Sequence, residues 1–169
     1  AELSEAITAG AEVNAKFENG MTPLMAAASN SESPEVITLL LKAGAQLHAT
    51  DKWGRTPLMW AAQRNKNPKI TSILLEAGAD VNAKGGGYVT ALMQAAKYNS
   101  NPEVTSMLIK AGADVNARKV FGQTLLSNAV CCNENPEVIS ELLEAGADVN
   151  AKDEQDARTP LMNAAFANN

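Results

Sequence analysis

Apolar residues along this chain come in short bursts, two to each stretch of 34 residues, with polar breaks between them. In the stretch that opens at Thr56, Leu58, Ala61 and Ala62 fall at i, i+3 and i+4 and mark one helical face. The polar break Asn65-Lys66-Asn67 follows. Ile70, Ile73, Leu74 and Leu75 then supply the buried side of a second helix. The flanking residues predict where each helix begins and ends. Thr56 caps the first, with Pro57 at its first position, and Asn67 caps the second, with Pro68. Gly78 stands where a helix closes in a left-handed residue. From Ala79 to Val89 the helical period is lost, and the segment reads as an extended finger with a turn. Helices of about eight to ten residues do not persist alone and must stack on neighbouring copies.

The pattern repeats over the whole chain. Runs beginning at Thr22, Thr56, Thr90, Thr124 and Thr159 are spaced 34, 34, 34 and 35 residues apart. Pro34, Pro68, Pro102 and Pro136 keep the same phase, as do Gly44, Gly78, Gly112 and Gly146. All seven prolines fall at a predicted helix start. In this register residues 1–21 form a partial repeat without its first helix. Full repeats run 22–55, 56–89, 90–123 and 124–158, and residues 159–169 supply a first helix only. With nothing to cover Leu161 and Ala165, the expectation is a piece of a longer array or a frayed last helix.

The pattern Thr-Pro-Leu-Met-x-Ala-Ala, then Pro-Glu-Val, then Leu-Leu-x-Ala-Gly-Ala-Asp-Val-Asn-Ala-Lys, resembles the ankyrin repeat. Met25, Met59, Met93 and Met162 stand where that family usually has His. The extra residue of the 34-residue period falls between the helices, and Pro opens the second helix. These departures give the sequence a bacterial look. The resemblance implies a mainly α solenoid, with two helices and a β-hairpin-like finger per repeat. It also implies a concave groove that binds protein partners.

Net charge is −5 and the pI is near 4.9, which argues against a basic nucleic-acid footprint. No apolar run approaches the roughly 18 residues of a membrane span. The adjacent Cys131 and Cys132 cannot staple distant parts of a fold, which fits a reducing compartment. The single histidine, His48, occupies a turn position. No Cys/His cluster has metal spacing, and no second histidine is present for a nucleophilic triad. Gly85-Gly86-Gly87 lacks the Lys-Ser/Thr of a phosphate loop. The reading is therefore no catalytic residue, no metal and no cofactor.

Comparing repeat columns shows where a partner would bind. Columns equivalent to Leu58, Ala61 and Ala62 barely vary. The face carrying Trp60, Gln63 and Arg64 varies freely, and so do the fingers. All seven aromatics lie in these variable columns: Phe17, Trp53, Tyr88 and Phe121 in fingers, Trp60, Tyr98 and Phe166 on the helix face. The same face gathers Lys52, Arg55, Arg64, Lys66, Lys84, Lys97, Arg118 and Lys119, while the second helices carry Glu35, Glu76, Glu103, Glu137, Glu141 and Glu144. The expected partner-binding set is Trp53, Arg55, Trp60, Arg64, Tyr88, Lys97, Tyr98, Lys119 and Phe121. The expected ligand is another protein, offering an acidic segment with apolar anchors. Replacing Trp60 and Tyr98 by Ala is expected to weaken binding and leave folding nearly intact. A nucleic-acid-binding face, or a regulatory or spacer segment of a larger protein, are the alternatives.

Overall fold

A computed structural model describes residues 2–167. Ala1, Asn168 and Asn169, placed above in the terminal partial repeats, lie outside the described residues. The described elements are α1 (Glu2–Thr8), α2 (Pro23–Asn30), α3 (Pro34–Lys42), α4 (Pro57–Arg64), α5 (Pro68–Glu76), α6 (Ala91–Tyr98), α7 (Pro102–Lys110), α8 (Leu125–Cys132), α9 (Pro136–Glu144) and α10 (Pro160–Ala167). The even-numbered helices stack in one row, and α3, α5, α7 and α9 stack in a second row behind it.

The helix ends follow from the capping residues. The hydroxyls of Thr22, Thr56, Thr90 and Thr124 each accept the backbone N–H three residues on, at 3.1–3.3 Å. Each such cap is worth about 1 kcal/mol. Asn67, Asn101 and Asn135 cap the second helices through bonds of 3.0–3.1 Å to the backbone N–H two residues on. Ser33 departs from this pattern: its hydroxyl donates to the Glu35 carboxylate instead. At the other end Gly44, Gly78, Gly112 and Gly146 adopt φ between +86° and +93°, where a Cβ would be strained.

The core runs between the two rows. Leu24, Leu58, Leu92 and Leu125 from the first helices meet Ile37, Ile70, Leu74, Val104 and Leu108 from the second, all buried. Met25, Met59 and Met93 are also buried, each beside its capping threonine.

Asparagine side chains join one repeat to the next. The amide nitrogens of Asn65, Asn99 and Asn133 each donate to two carbonyls of the preceding repeat at 2.8–3.1 Å. Their carbonyl oxygens accept the backbone N–H of Asn67, Asn101 and Asn135. Those three asparagines then donate to Glu32, Lys66 and Ser100 carbonyls. The lengthened inter-helix loop therefore places two amides per repeat where each reaches back to its neighbour. A third ladder, from Asn14, Asn82 and Asn116, ties the loops after the second helices. His48 occupies the same column between Asn14 and Asn82.

The fingers are shorter than full hairpins. Among the described residues the ladder amounts to one isolated antiparallel bridge, Arg118 with Thr124. The first four fingers are tight turns, closed by the N–H of Phe17, Asp51, Gly85 or Lys119 donating to the carbonyl four residues later at 2.9–3.1 Å, and the last, one residue longer, closes from the Asp153 N–H to the Arg158 carbonyl at 3.0 Å. Such three-residue loops end in a left-handed residue. Gly20, Gly54 and Gly122 fill that position, and Tyr88 fills it in the third finger with φ +61°.

Candidate partner-binding groove

The first helices and the fingers share one face. Asp51 organises its middle. Its buried carboxylate accepts the backbone N–H groups of Trp53 and Arg55 at 2.9 Å each, Arg55 Nε at 2.9 Å and Trp60 Nε1 at 3.1 Å. The Arg55 guanidinium lies over two rings, 3.8 Å from the Trp60 centroid and 4.6 Å from that of Trp53. A charge surrounded by four donors is well satisfied in a dry site, and breaking the set leaves it exposed to its full desolvation cost.

This arrangement corrects part of the expectation from sequence. Trp60 is only 6% exposed. It is a fixed part of the fold, roofed by Arg55, and its replacement by Ala removes core volume as well as surface. Its column varies for a different reason. The finger residue at the Asp51 position pairs with the helix residue at the Trp60 position in successive repeats. Lys119 Nζ donates to Asn128 Oδ1 at 3.1 Å, and Asn163 Nδ2 donates to Asp153 Oδ2 at 3.4 Å. In the third repeat Gly85 has no side chain to offer, and the buried Oε1 of Gln94 has no partner.

The other aromatics are exposed. Trp53, Tyr88, Tyr98 and Phe121 stand more than half open to solvent, as do Phe17 and Phe166 at the two ends. Tyr98 and Arg64 line one shallow groove with Ser29, Asn30 and Gln63. Arg64 also approaches the Trp60 ring at 5.7 Å, and Lys97 lies 4.9 Å from the Tyr98 centroid.

The cations divide into two groups. Arg55 is held by Asp51, and Arg118 donates to the carbonyls of Gly122 and Lys152. Among the described residues the other ion pair is Arg158 with Asp156. Lys97 and Lys119 have no carboxylate partner among the described residues. The phenol of Tyr98 pushes the Lys97 amine up from its ordinary pKa. Burial, and then the charge of Lys97, push the Lys119 amine down. Burial pushes the Cys131 thiol up, which disfavours the thiolate.

A family model of ankyrin repeats, in three copies, matches residues 2–85 and 89–169. The chain belongs to the ankyrin-repeat family. No curated protein matches it. Ankyrin repeats are in general protein–protein interaction modules, and the family is typically non-enzymatic. Methionine in place of the usual histidine has a local consequence in these ankyrin repeats. The Met25 sulfur accepts the Thr22 N–H at 3.5 Å, so the cap position keeps a weak reciprocal bond. In the fourth repeat Ser127 takes over, accepting from the Thr124 hydroxyl at 2.9 Å. No helix among the described residues is long and apolar enough to cross a membrane.

Asp51 was not among the residues expected from sequence to build the groove. A signal for it was present. Asp51 and Asp153 occupy the same finger column, and each is followed by an arginine, Arg55 or Arg158, immediately before the capping threonine.

Proposed function

We propose that this chain is a non-enzymatic scaffold that binds a partner protein across the face formed by its first helices and fingers. The site is centred on the repeats drawn above as 56–89 and 90–123, with the flanking fingers. The partner presents an acidic segment with apolar anchors. What carries the reading is one conjunction: exposed aromatics stand beside cations that pair with no carboxylate among the described residues. Trp53, Tyr88, Tyr98 and Phe121 are open, and Arg64, Lys97 and Lys119 lie among them. Aromatic side chains anchored in a groove dominate interface energy, and unpaired cations steer an oppositely charged partner. Glu35, Glu103, Glu137 and Glu144 are exposed on the second-helix side. That side repels the same acidic partner, as it would a nucleic acid.

The test is affinity capture from cell extract with the wild-type chain and the Tyr98→Ala/Phe121→Ala double variant in parallel. Both side chains are exposed, so the thermal midpoint stays within about 2 °C. The expected result is a protein retained by the wild type and lost from the variant. Equal retention by the two overturns the groove assignment.

A further inference from the structure

Three independent observations meet between α6 and α8. The first is a gap in the finger ladder. The N–H of Lys52 donates to the Asn19 carbonyl, that of Gly86 to Trp53 and that of Glu154 to Phe121, at 2.8–3.2 Å. Among the described residues no such bond joins the third finger to the fourth. The cause lies in the left-handed turn position. A Cβ placed on Gly20, Gly54 or Gly122 would come to 3.0 Å from the donating nitrogen of the next finger. Tyr88 carries a Cβ at that position, so the fourth finger stands off and the Val120 N–H loses its finger partner. The second observation is the Gln94 oxygen, buried without a partner at the column position where Gly85 offers no side-chain donor. The third is the pair of amines. Lys119, half-buried at the foot of the fourth finger, donates to Asn128 on α8 beside the stacked α6, and the charge of Lys97 on α6 helps burial push its amine down; among the described residues no carboxylate pairs with either lysine.

We propose that this cleft is the acid-reading subsite of the partner surface: a carboxylate of an extended acidic peptide segment sits between the Lys97 and Lys119 ammonium groups, beside Tyr98. This rests on the protein-binding reading above and names its chemistry. Burial and the Lys97 charge disfavour the Lys119 ammonium in the free protein, and an arriving carboxylate offsets both while gaining two charge-assisted bonds. A peptide fits better than a small inorganic anion. Its backbone carbonyls accept from the Val120 N–H, and its N–H groups donate to Gln94 once that side chain turns outward. Asn128 fixes the Lys119 amine at 3.1 Å and so holds one side of the clamp in place.

The experiment measures lysine acylation by mass spectrometry on the folded chain. The probes are a terminally blocked peptide of four glutamates around one phenylalanine, its glutamine counterpart, and inorganic phosphate at matched ionic strength. Millimolar acidic peptide is expected to slow acylation of Lys97 and Lys119 at least about threefold and to leave Lys52 and Lys66 unchanged. Lys119→Gln is expected to weaken protection of Lys97 about tenfold, the loss of one charged hydrogen bond. Equal protection by the glutamine peptide overturns the proposal, and so does uniform slowing at all lysines. Equal protection by phosphate reassigns the cleft to small anions, and absence of protection rejects it. If Lys97 and Lys119 stay unprotected while the aromatic double variant still loses its captured protein, this subsite alone has failed and the groove stands.

Discussion

At the residue scale, Asp51 decides how the middle of the molecule is used. Its carboxylate satisfies two backbone donors of the finger, one arginine and one indole. Replacing it by Ala leaves the Trp60 N–H buried and deprives Arg55 of its carboxylate partner. The expected cost is about 3 kcal/mol, since removal of one partner from a buried charged network strands the others. Urea unfolding of Asp51→Ala against the wild type checks this. A loss below about 1 kcal/mol would show that the network is solvated and carries little. The same residue explains a limit of reading columns along the sequence. Free variation of the Trp60 column suggests an open partner-binding face, yet Trp60 and its counterpart Gln94 are buried and Asn128 is half-buried. Trp60 and Asn128 differ because each answers a different finger residue, Asp51 or Lys119, while Gln94 faces a glycine and is left without a partner. Long-range pairing across nine residues is invisible to helical periodicity, which reports only which face a residue occupies.

At the element scale, helix positions are legible because each signal is local. A threonine cap, a proline at the first helical position and a left-handed glycine act within one turn of the residue that carries them. What holds one helix pair to the next is less legible. Asn65, Asn99 and Asn133 read as polar residues in a break, yet each reaches back a full repeat to bond two carbonyls. Asn99 is 1% exposed. Its replacement by Ala leaves the carbonyls of Ala62 and Asn65 without these donors, and the Asn101 N–H without its acceptor. We expect a loss of about 2–4 kcal/mol, from several buried groups each left unsatisfied at about 1–3 kcal/mol and partly relieved by water. Amide hydrogen exchange should show faster opening on both sides of the α4–α6 junction, because a solenoid is stabilised by nearest-neighbour interfaces. A change confined to the loop around Asn99 would argue that the ladder tunes local geometry and does not couple repeats.

At the scale of the whole molecule, stability and binding compete at the third finger. Tyr88 holds a left-handed conformation that disfavours a bulky side chain by about 1–2 kcal/mol, and its Cβ keeps the fourth finger from closing onto the third. Glycine stands in the same position at residues 20, 54 and 122, each followed by a finger that donates a backbone hydrogen bond. Tyr88→Gly is therefore expected to relieve the strain and let the Val120 N–H reach the Gly87 carbonyl. Together these effects raise stability by about 1 kcal/mol, or roughly 2–4 °C in thermal midpoint for a chain of this length. The same change removes an exposed aromatic and narrows the cleft beneath Lys119, so capture of the partner should fall as the midpoint rises. Opposite signs in the two measurements would identify the standing-off of these fingers as a feature kept for binding at a cost in stability. A variant that gains stability and still captures the partner fully would place the contact surface away from the third finger. A variant that loses stability would show that the Tyr88 ring packs usefully and that its backbone strain is already offset.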